Sequence, residues 1–166
     1  MPGRIKSGEG TLIGNAGEYF VVAELLKRGI VAALAPRNTP AFDILATNFR
    51  VVPQKTVQIR VTTKSGQYDS WRWSTRIDGV IFPRLESAGD FTILVNLTDD
   101  TKHMDYFVLQ THVLNQWIID DFEWWLAQPG KKGQPHSREN RLRALYYRSY
   151  EQKLEQYRNN WGILWT

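Results

Sequence analysis

Eight residues, Val57 to Lys64, alternate between apolar or β-branched and polar side chains with a strict period of two. In an extended chain Val57, Ile59, Val61 and Thr63 fall on one side and Gln58, Arg60, Thr62 and Lys64 on the other. A helix would scatter both sets around its axis. This segment is therefore a strand, and the chain must be built around a sheet. Four further apolar runs have strand character: Ile30 to Ala35, stopped by Pro36; Ala41 to Thr47, which carries Asp43; Phe91 to Leu97; and Tyr106 to Leu109.

Helical signals alternate with these. Asn15 to Gly29 reads as a helix with Asn15 as N-cap, Glu18 three residues on, and Gly29 closing it behind Lys27 and Arg28. Val113 to Ala127 repeats apolar residues on one face, and Ser137 to about Arg158 carries a stripe of Leu142, Leu145, Tyr146, Leu154 and Tyr157. The order predicts an α/β fold, a mixed sheet flanked by helices. With 166 residues, 42% of them hydrophobic, the chain is expected to form one domain with its own core. Within it, 1–128 would form the αβ core, and 129–166 a basic loop and C-terminal helix packed on the same domain.

Cysteine is absent, which excludes disulfides, zinc–thiolate sites and thiol nucleophiles, and fits a cytoplasmic protein. No apolar run is long enough for a signal peptide or a membrane span, so no membrane partner is expected. Charge is uneven. Residues 1–89 hold twelve Lys/Arg against seven Asp/Glu, residues 90–128 one against seven, and residues 129–166 eight against three. A polyanion partner suits the first and last blocks. In the last block Lys131, Lys132, Arg138, Arg141 and Arg143 are the candidate backbone-tracking surface, with a solvated helix face as the equal alternative. Trp71 and Trp73, on one face if extended, suit core packing better than base stacking.

The candidate chemistry lies in Glu18, Asp43 and the polar face of the third strand. Glu18 shares a helix face with Val21, Val22 and Leu25, and Asp43 sits inside an apolar strand where an acid requires a partner. Two acids, an amide and cations meeting at a sheet edge suit a hard divalent ion with a phosphate beside it. Each residue also has a plain structural reading. Glu18 would be the acid of a capping box, Asp43 the partner of Arg60, and Gln58 to Lys64 the solvated face of a strand.

The order Glu on the first helix, Asp on the second strand and polar-x-cationic on the third resembles the PD-(D/E)XK nuclease superfamily. The likeness is nearest to its Holliday-junction resolvase and group I intron homing endonuclease branches. It runs through Gly14-Asn-Ala-Gly-Glu18, Ala41-Phe-Asp43-Ile-Leu-Ala46 and Val57-Gln-Ile-Arg-Val-Thr-Thr-Lys64-Ser-Gly66. It implies a restriction-endonuclease-like αβββαβ core and Mg²⁺- or Mn²⁺-dependent hydrolysis of DNA, with a homodimer in keeping with cutting both strands. By that resemblance Asp43 is the central metal ligand, Glu18 the helix-borne acid, Gln58 the second-acid position, the carbonyl of Ile59 a further ligand, and Arg60 the lysine position.

Two departures stand out. Gln58 replaces a carboxylate and removes a negative charge. Arg60 replaces a lysine and, being permanently protonated, can orient water or neutralise charge but cannot act as a base. Lys64 lies about 13 Å further along the same strand face. These departures favour a second reading, a nuclease-fold protein that binds nucleic acid without cleaving it. A third, a protein-interaction or assembly module, follows from the acidic, Trp-rich segment Asp120 to Trp125.

Overall fold

The computed structural model describes residues 9–36, 38–85, 89–98 and 101–166. The chain runs through α1 (Glu9–Lys27), β1 (Val31–Leu34), β2 (Ile44–Asn48), β3 (Lys55–Ser65), β4 (Ser70–Ser74), β5 (Asp90–Leu97), β6 (Asp105–Gln110), α2 (Thr111–Ala127), β7 (Leu142–Tyr146) and α3 (Tyr147–Glu155). Five strands form the central sheet in the order β1-β2-β3-β5-β6, and β4 and β7 pair as a second, two-stranded sheet. Among the described strands only β3 and β5 are parallel; the other pairs are antiparallel. This is a mixed sheet flanked by helices, as expected for a restriction-endonuclease-like core. The connection between the parallel strands passes through β4 and the segment after it.

The period of two sorts the core into two layers. Ile59 of β3, Ile93 and Val95 of β5, and Tyr106 and Val108 of β6 pack with Val21 and Leu25 of α1. Leu94, Phe107 and Leu109, one residue out of step, pack with Trp71, Leu114, Ile118, Leu145 and Leu154 on the opposite face. Trp71 joins the small sheet to the large one. It is fully buried, its indole N–H donates to the Val95 carbonyl at 2.9 Å, and its ring meets Phe107 edge-on. Both β4 tryptophans therefore serve packing, Trp73 by a 3.1 Å bond to the Thr62 hydroxyl and an edge contact with Phe82.

Two sequence expectations are corrected. The helix expected over 137–158 is broken by β7, which pairs with β4 from Ser70↔Tyr146 to Ser74↔Leu142. Leu142, Leu145 and Tyr146 satisfy a helical stripe, but Arg143 and Leu145 are also alternate residues, and pairing with β4 decides the matter by burying both. The first helix begins at Glu9, not after Asn15, so Glu18 stands mid-helix and is no capping-box acid. Among the described residues no helix is long and apolar enough to cross a membrane.

Gly17 sets how closely α1 approaches the sheet. A Cβ there would overlap the Thr63 hydroxyl oxygen and lie 3.0 Å from its Cβ. In an isolated helix Gly→Ala gains about 1 kcal/mol. Here overpacking of about 1–3 kcal/mol outweighs it. Gly17→Ala is expected to lower stability in chemical denaturation, and Thr63→Ala to restore part of the loss; a G17A protein as stable as the parent would refute the close contact.

Candidate functional site

β2 begins at Ile44, opposite Ile59, so β3 continues beyond the end of its neighbour. Asp43 occupies that exit. Its own N–H donates to the Ile59 carbonyl at 2.9 Å, and its carboxylate Oδ2 accepts the Val61 N–H at 2.7 Å. The side chain thus replaces the missing strand partner of Val61, which fixes its position. Asp43 was expected within the strand; it stands just before it, at the point where the two strands part.

Glu18 and Asp43, 25 positions apart in sequence, line the same recess, about 330 Å³ in volume. Asn15, one turn before Glu18 on α1, lines it too, with Asn38 and Thr39 from the loop after β1. Burial pushes the Asp43 carboxyl above its ordinary value, against the opposing pull of the Val61 amide and the more distant Arg60 charge. Burial also pushes Glu18 up, and the neighbouring Asp43 charge adds to it. Among the described residues neither carboxylate has an ion-pair partner, and no three His, Cys, Asp or Glu side chains cluster as a metal site.

The polar face of β3 lies elsewhere. It points away from α1 into the layer covered by β4 and β7. Arg60 is 7% exposed and makes a two-pronged contact with Asp90, Nε to Oδ1 at 3.0 Å and a terminal nitrogen to Oδ2 at 2.9 Å, with Pro83 carbonyl as a further acceptor. The expected alternative pairing of Asp43 with Arg60 is thereby excluded. Lys64 is also buried, donating to the Asn96 side-chain oxygen at 2.7 Å and the Tyr68 carbonyl at 3.0 Å, beneath the Trp71 ring. Burial lowers its pKa, and Asp69 and Asp105 act against that. Gln58 is half-buried on the same face, in register with Asp90. The face is therefore not solvated, as the bland reading had it. Of the sequence candidates, the structure brings Glu18 and Asp43 together, engages the Ile59 carbonyl with the Asp43 N–H, and turns Gln58, Arg60 and Lys64 to the other layer.

The basic C-terminal candidates also separate. Arg138 forms a two-pronged contact with Glu123 at 2.6 and 2.9 Å, and Arg141 donates to the Thr75 carbonyl. Arg143 is buried against the Phe122 ring. Lys131 and Lys132 stay exposed on a tight turn.

Sequence reasoning missed Asp90. The signal was present: an acid at the mouth of an otherwise apolar strand, Phe91 to Leu97, must find a cation, and the neighbouring strand carries one at Arg60.

Two solved structures are similar to the chain. One is a Holliday junction resolvase from Archaeoglobus fulgidus, 14% identical over 84% of this chain and 88% of that one, with a TM-score of 0.46. The other is a bacterial homing endonuclease, 14% identical over 93% of this chain and 89% of that one, with a TM-score of 0.45. No family model matches the chain, and no curated protein does.

Proposed function

We propose that this chain is a PD-(D/E)XK-type, divalent-metal-dependent nuclease that hydrolyses DNA phosphodiester bonds at the Glu18–Asp43 recess. One observation carries the reading: two carboxylates from distant parts of the chain share a recess, both are pushed toward protonation, and neither has an ion-pair partner among the described residues. Burying like charges together is costly unless something neutralises them. Mg²⁺ commonly takes one or two carboxylates and leaves its other positions to water and substrate phosphate. The donor set here fits that habit, with Glu18 and Asp43 as anionic ligands and Asn15, Asn38 and Thr39 as neutral oxygens at the rim. Bound there, the metal would activate water and offset charge on the scissile phosphate.

The protein's own groups have defined tasks. Asp43, held by the Val61 amide, fixes the ligand position at the strand exit. Glu18, one turn beyond Asn15 on α1, presents the second carboxylate to the same recess. Arg60 supports β3 through Asp90 and holds the sheet that presents the recess.

The second reading, binding without cleavage, is favoured by that same Arg60 contact, since the residue at the lysine position is turned away from the recess. One experiment separates them. The purified chain is incubated with branched and linear DNA in Mg²⁺ or Mn²⁺, beside Asp43→Ala and Glu18→Gln. The nuclease reading expects cleavage that both variants lose. Binding without cleavage would favour the second reading, and cleavage undiminished in D43A would overturn the site.

A further inference from the structure

A second recess, about 190 Å³, lies between α2 and β7, in the layer covering the sheet face opposite α1. Its walls include the rings of Phe122, Trp125 and Tyr146, and two charged side chains, Asp121 and Arg143. The rings are ordered by stacking. Phe122 and Trp125 lie 5.5 Å apart at 20°, and His136 stacks on Trp125 at 3.8 Å and 22°. The Arg143 guanidinium carbon sits 3.3 Å from the Phe122 centroid.

The two charges are not used up. Arg143 is 9% exposed, yet only one of its terminal nitrogens has partners among the described residues, the carbonyls of Asn140 at 2.6 Å and Leu142 at 3.0 Å. Asp121 accepts one long bond, 3.3 Å from the Tyr150 hydroxyl. Burial pushes its carboxyl up, with the Tyr150 bond opposing. Opposite charges lining one recess without pairing leave a gap for a ligand that presents donors to one and acceptors to the other. The volume is below the few hundred Å³ typical of drug-sized ligands, so the occupant is a single ring system.

Resting on the nucleic-acid reading above, we propose that this recess binds one nucleobase taken out of the stack, and that guanine is the preferred base. Of the DNA bases, guanine alone offers two adjacent N–H donors, N1 and N2, to a carboxylate. It also offers two adjacent acceptors, O6 and N7, to a guanidinium fork. Asp121 takes the first edge and Arg143 the second, while Tyr146 covers one ring face. A base inside a duplex cannot reach such a recess, so the substrate presents it from a junction, bulge or single strand.

The test needs no metal. Calorimetric titration in EDTA compares guanosine, inosine, adenosine and cytidine 5′-monophosphates. A fluorescent hairpin with one unpaired guanine is then compared with the same hairpin carrying unpaired hypoxanthine or adenine. The expected result is binding of the guanine forms, with hypoxanthine about tenfold weaker because it lacks the N2 donors to a charged acceptor. Asp121→Asn, checked for an unchanged melting temperature, is expected to erase the guanine–hypoxanthine difference. Equal binding of all four nucleotides, or none at millimolar concentration, overturns the proposal. Discrimination among free nucleotides but not among hairpins overturns the extruded-base part and leaves a mononucleotide site. Because the readout is metal-free, these outcomes are independent of whether Glu18 and Asp43 support cleavage.

Discussion

Asparagine in place of Asp43 is expected to remove metal-dependent cleavage by two orders of magnitude or more, about the loss typical of a group that stabilises charge in the transition state. It is also expected to raise thermal stability at neutral pH. The two effects have one cause. Asp43 is fixed by the Val61 N–H, a bond an asparagine oxygen can keep, while its charge is buried beside Glu18. Because the folded-state pKa is raised, the folded protein holds its proton more tightly than the unfolded chain. The carboxyl's favourable contribution is fully present below its ordinary value of 3.8 and is lost as pH rises through the folded value. Above that window the native protein carries a buried charge that D43N lacks, so the variant melts higher. As pH falls through the window the advantage shrinks to nothing. For a chain of this size each kcal/mol moves the melting temperature by about 2–4 °C, so differential scanning in EDTA at neutral and acid pH resolves the trend. Added Mg²⁺ should reverse the order at neutral pH by stabilising only the native protein. A variant that melts lower in EDTA would mean that Asp43 is held by attraction and that its recess has no need of a cation.

The strand at Val57–Lys64 was legible because period-two alternation has no helical equivalent, and the other four strands of the large sheet were legible as short apolar runs. Glu18 and Asp43 were legible as a pair only through their place in the order of elements, since neither residue's neighbours announce the other. The face of β3 was misread for a physical reason. Gln58, Arg60, Thr62 and Lys64 read as exposed, and nothing local says that Ser70–Ser74 and Leu142–Tyr146 will pair and cover them. Those two segments are about seventy residues apart, and a five-residue strand carries too little periodicity to be distinguished from one turn and a half of helix. Arg60 and Lys64 escaped for the same reason. Their partners, Asp90 and Asn96, lie on β5, and parallel register between strands some thirty residues apart is set by the sheet rather than by either strand.

Truncating Arg60 is expected to have the largest effect on stability in the protein. The Asp90 side chain is 1% exposed, and removing the Arg60 guanidinium leaves, among the described residues, the Thr111 hydroxyl at 2.6 Å to balance a buried carboxylate. Breaking one side of a buried pair costs about 3–5 kcal/mol, which at about 2–4 °C per kcal/mol lowers the melting temperature of Arg60→Met by about 6–20 °C. Replacing both partners with apolar residues of similar volume removes the stranded charge, so Arg60→Met with Asp90→Leu is expected to recover most of the loss. That double variant also decides what Arg60 does for the reaction. If Arg60 supports cleavage only by holding β3 and β5, restored folding brings cleavage back with it. If it acts on the phosphate, as its place in the motif implies, the double variant folds and binds DNA but does not cut. The observed contacts, two to Asp90 and one to Pro83 with the recess on the other face of the strand, favour recovery. A stable, DNA-binding and inactive double variant would instead require Arg60 to leave Asp90 when substrate arrives.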